Sequence, residues 1–409
     1  MVTSVPKPVW LAAVALVYTP LLTAPLYEWA IPGGWAAPPP MLHHAAAIVL
    51  HLACIWLAWG ILERLLPSRP AMIAVLIFAL HPAQVEPVTA PEGLAPLAAS
   101  LTALAAWRLW LDGRLWWACA VGSLAGLVHP CAAGLAMVLA AYERGTGRRR
   151  ESASPLGVMF ELPAISLAFS AQFAFDYFAY QGVALLRALW VFMVPIGLAP
   201  VPDVRTGPLA ASMAWGVIAV IALLSLRGAK RVQEGFWLLS ALLFVLPEAS
   251  FIAGQDLASG RRFYLPMLAC AALAGLMLRN SHRVALALTG VLMLAITVSQ
   301  VSLWRDETAL WMESARLSPN ELRPRLEVAR RLAPAQSVEL LEDTARLWPG
   351  RARIHADLAL AYNRAGRRGE AVRTVEYALK QAPCEAQVRD AAKILGIEPP
   401  ACEATGPAR

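Results

Sequence analysis

The sequence predicts an all-helical protein in which a bundle of membrane-spanning helices precedes a small helical domain. Of the 409 residues, 58% are hydrophobic and only 15% are charged, whereas soluble domains carry about 25% charged residues. The charge is also unevenly distributed. Residues 1–303 contain 18 Lys/Arg and 13 Asp/Glu, and the much shorter remainder contains 17 and 15. We therefore predict a membrane domain at 1–303, a polar domain at 304–400 and a tail at 401–409.

The apolar segments of the first domain predict about eleven spans, since a helix needs about 20 apolar residues to cross a bilayer. They lie near 8–27, 41–62, 70–87, 94–111, 115–128, 130–143, 155–177, 209–226, 234–249, 264–278 and 284–303. The run 115–143 is interpreted as a tight pair that folds at His129 and Pro130. The segment Ala184–Leu198 is expected to lie in the membrane interface, because both its ends fall on one side.

The basic residues predict the orientation of the bundle. Fourteen of the 18 Lys/Arg fall in loops on one side, and Arg187, Arg205, Arg261 and Arg262 fall on the other. The positive-inside rule then places the N-terminus in the cytoplasm and the polar domain outside. Val9–Leu26 is expected to remain as an anchor, because it is long for a signal peptide and lacks a convincing cleavage site. The net charge of +7 is thus mostly an orientation signal, and no nucleic-acid partner is expected.

Phe78–Ser100, which we call the elbow, interrupts the apolar pattern. It contains His81-Pro82, Glu86, Glu92 and Gly93 before the sequence becomes apolar again. Such a cluster predicts two membrane helices joined by a short polar connection at the outer face. This is where polar side chains could perform chemistry.

The polar domain contains an internal repeat. Residues 352–383 carry Ala359, Tyr362, Gly366, Ala371, Ala378 and Pro383, at the spacing of a 34-residue tetratricopeptide hairpin. The best repeat is assigned to 352–385, and segments ending at Pro319 and Pro349 predict two weaker neighbours. Cys384 and Cys402 could form a disulfide if this domain is extracytoplasmic.

Five segments, in order along the chain, carry a resemblance to a known family. They are MLHHAAAIVLH (41–51), FALHPAQVEPV (78–88), LLRALWVFMVPIGLAPVPD (185–203), RRFYLP (261–266) and WRDETALWMESARLSPN (304–320). Together they resemble the bacterial relatives of the transmembrane O-mannosyltransferases with tetratricopeptide repeats, which have the GT-C glycosyltransferase fold. The likeness covers nearly the whole chain, and its last segment is the most specific.

The resemblance implies transfer of a sugar from a polyprenyl-phosphate donor to an acceptor on the extracytoplasmic face of a bacterial inner membrane. No cofactor is implied beyond the lipid-linked donor, and the repeats could bind a protein acceptor or partner. A carboxylate must deprotonate or orient the acceptor hydroxyl, and arginine is well suited to hold the lipid phosphate. The implied catalytic residues are Glu28, His81 and Glu86. The implied lipid-phosphate-binding residues are Arg262, Arg187, Tyr264, His43 and His44.

Some positions depart from the family's pattern and leave an alternative open. The family usually continues the elbow with Gly-Arg-Ala-Asp, whereas Gly93-Leu94-Ala95-Pro96 stands here. Gly260 replaces a usual acid, and Glu28 is single where an acidic pair is usual. Glu92 could compensate for the missing elbow acid. The alternative is a catalytically degenerate relative that acts as a membrane-anchored scaffold. A transporter is less favoured, because no internal hydropathy repeat stands out. No metal site is expected, since His43, His44 and His51 lack a further ligand set.

Overall fold

The computed structural model describes residues 6–24, 39–147, 155–159, 161, 163, 175–228, 234–249 and 258–401. The protein is all-helical, and no β-strand occurs in these described residues. The chain divides into two compact units. The first unit comprises residues 1–200 and 204–307, and the second comprises 201–203 and 308–409.

The first unit contains twelve α-helices whose limits follow, and residues 155–159 are helical as well. They are α1 (Lys7–Tyr18), α2 (Pro40–Leu65), α3 (Ser68–Leu80), α4 (Val85–Thr89), α5 (Leu94–Leu111), α6 (Leu115–Val128), α7 (Leu135–Thr146), α8 (Phe175–Met193), α9 (Pro208–Gly228), α10 (Glu234–Val245), α11 (Tyr264–Met277) and α12 (Arg283–Leu303). Short 3₁₀ turns at Pro82–Gln84, Pro91–Gly93, Pro130–Ala132 and Gly260–Phe263 connect several of them.

The all-helical fold is confirmed, and five helical segments of the described chain are long and apolar enough to cross a membrane. They are Pro40–Leu65, Pro91–Leu111, Pro208–Gly228, Gly260–Asn280 and Arg283–Leu303. A sixth is obtained if Ser68–Leu80 and Pro82–Thr89, which meet at a bend of 49°, form one span. The prediction of eleven is larger because it also counted three shorter apolar helices, at Lys7–Thr23, Leu115–Val128 and Glu234–Val245. It further counted 130–143, where the structure has the short helix α7, and 155–177, most of which lies outside the described residues.

Two predicted segments differ from the structure in their limits. The helix expected at Ala184–Leu198 begins earlier and ends earlier, at Phe175–Met193, and the chain beyond Met193 is irregular up to the next helix. The predicted span at 155–177 lies largely outside the described residues. The predicted pair at 115–143 does turn at His129 and Pro130, although its second helix starts only at Leu135.

Helix α11 lies at the centre of the first unit. Its residues Tyr264, Leu265, Leu268 and Ala271 are all buried, and Gly275 allows a close approach to α3. A Cβ at Gly275 would lie 2.4 Å from the carbonyl oxygen of Pro70. By contrast, α12 is only 11% buried and α9 only 22%. Their exposed apolar faces are what lipid-facing helices present, because hydrocarbon is no worse a solvent for them than the protein interior.

The second unit is built from six short helices that follow one another. They are α13 (Glu307–Leu317), α14 (Leu322–Arg331), α15 (Pro334–Leu347), α16 (Ala352–Arg364), α17 (Arg368–Gln381) and α18 (Ala386–Ile394). Ala359, Ala371 and Ala378 are fully buried where α16 and α17 pack together. Gly366 ends α16 with a φ of +78°, a conformation that glycine adopts without steric cost.

The cysteines fall into two groups. Cys54, Cys119, Cys131 and Cys270 are buried free thiols, as expected for cysteines that pack as small hydrophobic residues. Cys384, in the second unit, is disulfide-bonded. Cys402 lies outside the described residues.

Candidate functional site

The elbow is anchored by His81, which ends α3 and starts the following 3₁₀ turn. The backbone N–H of Ala83 donates to its Nδ1 at 3.2 Å, so the proton is on Nε2. That nitrogen is 3.1 Å from the carbonyl oxygen of Phe192, and the imidazole stacks on the Phe192 ring. His81 is fully buried and both ring nitrogens are engaged. The structure thus makes this predicted catalytic residue a cap that holds the elbow against α8.

Glu86 connects the elbow to the turn that precedes α11. Its carboxylate accepts a hydrogen bond of 3.0 Å from the backbone N–H of Gly260. A Cβ at Gly260 would lie 2.5 Å from Glu86 Oε2, so the carboxylate occupies the space that a larger residue at 260 would need. Position 260 thus lacks the acid that is usual in the family, but the Glu86 carboxylate lies directly beside it.

Arg261 lies between two elbow carboxylates. Its Nη1 is 3.8 Å from Glu86 Oε1 and 3.9 Å from Glu92 Oε2. The Arg261 and Glu86 side chains are each 12% exposed, whereas that of Glu92 is 24% exposed. Glu92 thus lies within ion-pair distance of the same cation as Glu86, and supplies a second acid in the elbow.

Arg262 faces a different set of groups, although it is the next residue. It donates to the backbone carbonyl of Glu248, and its Nε is 3.7 Å from Glu248 Oε2. Its guanidinium carbon lies 5.6 Å from the centre of the Tyr177 ring, and the Tyr177 hydroxyl donates to the same Glu248 carbonyl at 3.0 Å. Arg262 therefore joins α11 to the ends of α8 and α10.

His129 completes this set from the turn between α6 and α7. Its Nδ1 is 3.7 Å from Glu248 Oε1 and accepts from the backbone N–H of Cys131 at 3.3 Å. We refer to six residues from four separate segments as the ionic cluster: Glu86, Glu92, His129, Glu248, Arg261 and Arg262. No group of His, Cys, Asp and Glu among the described residues could hold a metal ion.

Burial shifts the pKa values of Glu248 and His129, two cluster residues that lie beyond helix ends. It raises the pKa of the Glu248 carboxyl, against the opposing effect of Arg262 and Arg261. It lowers the pKa of His129 to about 4, and the positive charges of Arg261 and Arg262 act in the same direction. His129 is therefore a neutral imidazole at physiological pH, and cannot serve as a cation for a phosphate.

The other predicted binding residues make the following contacts with residues outside the ionic cluster. Tyr264 is buried, with its hydroxyl 2.7 Å from Nδ1 of His51. His43 Nε2 is 3.2 Å from the carbonyl oxygen of Pro91, and so supports the elbow. His44 is buried and packs edge-on against His43. Arg187 donates to the Gly197 carbonyl at 2.7 Å and fixes the chain that follows its own helix. The predicted base Glu28 lies outside the described residues.

Of the predicted site residues, the structure thus brings Glu86 and Arg262 together in one cluster, with His81 holding the elbow in place. Sequence reasoning missed Glu248 as a member and valued Arg262 above Arg261. One signal was available for Glu248: it is an acid at the end of a predicted span on the same side as the elbow, and acids near membrane segments are functional candidates.

A small apolar groove lies between α8, α10 and α11. It is lined by Leu185, Ala188, Leu189, Phe192, Ala241, Leu242, Val245, Phe263, Pro266, Met267 and Cys270. Three of these residues connect it to the site. Phe192 contacts His81, Val245 lies three residues before Glu248, and Phe263 directly follows Arg262. The groove therefore adjoins the ionic cluster along the chain, although none of the six cluster residues lines it.

The chain matches no protein-family model, no curated protein and no solved structure.

Proposed function

We propose that this protein is a membrane glycosyltransferase that takes a sugar from a polyprenyl-phosphate donor and passes it to an acceptor on the extracytoplasmic face. The observation that carries the proposal is the apolar groove that adjoins the ionic cluster. A polyprenyl phosphate has a long hydrocarbon chain and an anionic head. It needs a dry groove next to cations, and this combination occurs where Phe263 follows Arg261 and Arg262.

Arg261 is the residue assigned to the lipid phosphate. It is less buried than Arg262, which is only 6% exposed and is engaged with the end of α10. Glu86 and Glu92 position Arg261 from the elbow side. Preorganised cations of this kind stabilise the charge that develops on a leaving phosphate.

In the proposed reaction, a carboxylate takes the proton of the acceptor hydroxyl, whose oxygen then forms a bond to the anomeric carbon of the sugar. The bond between that carbon and the phosphate oxygen breaks, and the electron pair leaves with the polyprenyl phosphate. Glu28 remains the base implied by the resemblance. Among the cluster carboxylates, Glu92 is the second candidate, because it is the most exposed of the three.

The wider features of the resemblance belong to the same proposal. They are the GT-C type of bundle, the count of eleven spans, a bacterial inner-membrane location with a cytoplasmic N-terminus, and tetratricopeptide repeats that face the periplasm. The buried alanines of α16 and α17 and the glycine turn at Gly366 support the assignment of repeats, because small residues must lie where the paired helices cross.

The proposal predicts that Arg261→Gln abolishes most of the transfer. Loss of one preorganised donor to a developing charge typically costs about 10²–10³-fold in rate. The measurement is transfer of radiolabel from a panel of polyprenyl-phosphate sugars to periplasmic protein, with the full-length chain in nanodiscs. The matched control is Arg279→Gln, an exposed arginine at the other end of α11 that pairs with Glu234. Equal rates for Arg261→Gln and the control would contradict the assigned role.

A specific observation also favours the second candidate, a membrane-anchored scaffold without transferase activity. Both cluster arginines lie against carboxylates of the chain itself, so the cluster also has the composition of a structural ion-pair network. In that case no sugar of the panel is transferred by the wild-type protein, and Arg261→Gln affects stability alone.

A further inference from the structure

The second unit has a group of arginines on α14 and α16, one of which has a buried donor without a hydrogen-bond partner among the described residues. We call Arg323, Arg330 and Arg353 the arginine face. Two acids, Glu327 and Asp357, lie among them. Both acids already accept hydrogen bonds from an arginine of α14, so less of their hydrogen-bonding capacity is left for Arg353.

Arg330 uses both acids. Its Nη1 donates to Glu327 Oε1 at 3.1 Å, and its Nη2 donates to Asp357 Oδ1 and Oδ2 at 3.1 and 3.2 Å. Arg331 donates to Glu327 Oε2 at 2.8 Å. These bonds join α14 to α16. Burial raises the pKa of Asp357, against the opposing effect of Arg330.

Arg353 is in a different position. It lies one helical turn before Asp357 on the same face of α16, and it is partly buried. Its Nε is buried with no hydrogen-bond partner among the described residues. Burial and the nearby charges of Arg330 and Arg323 lower the pKa of Arg353, which Asp357 and Glu327 only partly offset. The folded unit thus holds a partly desolvated cation close to two others.

Such a residue is unfavourable for folding, because an unsatisfied buried donor and like-charge repulsion both destabilise the native state. Residues that destabilise the fold are characteristic of binding sites, where a ligand supplies the missing partner. An anionic group placed at Arg353 would give its guanidinium a partner and reduce the repulsion from Arg330 and Arg323.

The two acids narrow the chemical class of the ligand. Glu327 and Asp357 would repel the closely spaced phosphates of nucleic acid or of an anionic lipid surface more strongly than the side-chain carboxylates of a flexible peptide, which can alternate with them between the arginines. Arginine binds carboxylate well because its planar fork donates two parallel hydrogen bonds. The guanidinium of Arg323 also lies 5.8 Å from the Trp311 ring centre, which restricts its orientation.

We propose that the arginine face binds an acidic peptide segment, with a carboxylate of the peptide paired to Arg353. This site is separate from the ionic cluster of the first unit and does not depend on sugar transfer. It assigns the second unit a partner of defined chemistry.

The test measures peptide binding and thermal stability on the same variants of the full-length protein in nanodiscs of uncharged lipid. The probe is a fluorescein-labelled octaglutamate peptide followed by anisotropy, with octaglutamine as the control peptide. Arg353→Met is expected to weaken octaglutamate binding at least tenfold while the unfolding temperature stays the same or rises. The matched control is Arg346→Met, an exposed arginine of α15 paired with Asp343, which should change neither quantity.

A second variant acts in the opposite direction. Asp357→Asn removes a competing negative charge from the arginine face and is expected to tighten octaglutamate binding, an effect that unfolding cannot produce. The wild-type affinity should also fall with added salt. The proposal is overturned if octaglutamate does not bind, or if Arg353→Met binds it as the wild type does. It is also overturned if this variant loses stability together with binding, or if anionic vesicles compete with the peptide for Arg353.

Discussion

Arg262→Met is expected to lower the free energy of unfolding of the first unit by about 3–5 kcal/mol, the usual cost of removing one partner of a buried ion pair. The Arg262 and Glu248 side chains are only 8% and 11% exposed. The substitution removes the cation nearest to the Glu248 carboxylate and a hydrogen bond to the Glu248 carbonyl. It therefore leaves a buried acid without its main partner where three helices meet.

The loss should depend on pH in a defined direction. Burial already raises the pKa of Glu248 above its ordinary value, and Arg262 is the first of the charges that oppose this. Without Arg262 the folded-state pKa rises further above the unfolded value. At low pH the Glu248 carboxyl is neutral in both the folded and the unfolded state, and its burial costs little. Stability is lost as pH rises through the folded-state pKa, because the buried carboxyl must then become charged. The deficit of Arg262→Met should thus be smaller at pH 5 than at pH 8.

Denaturant unfolding in detergent micelles measures both effects. In the double variant Arg262→Met, Glu248→Met most of the lost stability should return, because both charges are then absent. Arg279→Met is the control, because its pair with Glu234 is 52% and 44% exposed, and exposed pairs contribute only about 0–1 kcal/mol. A neutral Arg262→Met would show that the ionic cluster does not hold the helix ends together.

Gly93→Ala is expected to distort the elbow. The added Cβ would lie 1.9 Å from the carbonyl oxygen of Pro87, and backbone atoms cannot rotate away as a side chain can. Overpacking of this kind typically costs about 1–3 kcal/mol and occasionally more. Because Gly93 directly follows Glu92, the displacement would also move that carboxylate away from Arg261.

The measurement for Gly93→Ala combines unfolding with the transfer assay. Both stability and transfer should fall. Gly290→Ala is the matched control, since Gly290 lies in α12 with nothing within 4 Å of the added Cβ, and alanine favours a helix over glycine by about 1 kcal/mol. If Gly93→Ala kept the stability and the transfer rate of the control, the elbow would be more adaptable than its packing indicates.

These predictions separate the roles of two adjacent arginines. Arg262 is expected to affect stability most, because its partners are the ends of other helices. Arg261 is expected to affect transfer most, because it lies between the elbow carboxylates beside the groove. A variant series that reversed this order would favour Arg262 as the phosphate-binding residue, as the sequence resemblance implies.

The sequence alone determined the fold class and many helix limits. Long apolar runs require helices in a membrane, since every backbone polar group must be paired internally, and proline and glycine mark where the runs end. The helices at Leu94–Leu111 and Leu115–Val128 have the predicted limits, and five or six spans follow directly from hydropathy. Apolar runs and the proline and glycine residues that end them are local features of the chain, so they can be recognised in a single sequence without the tertiary structure.

The composition of the ionic cluster was decided only by the tertiary structure. Glu86 and Gly260 are 174 residues apart, and no local pattern states that they touch. Arg261 and Arg262 are neighbours in the chain, yet a 3₁₀ turn directs them to different carboxylates. A histidine at position 81 suits a catalytic role as well as a structural one. Only the tertiary structure places Phe192 where His81 contacts it and holds the elbow against α8. Apolar patterning fixes which face of a helix is buried, but which charged ends meet depends on how several helices pack at once.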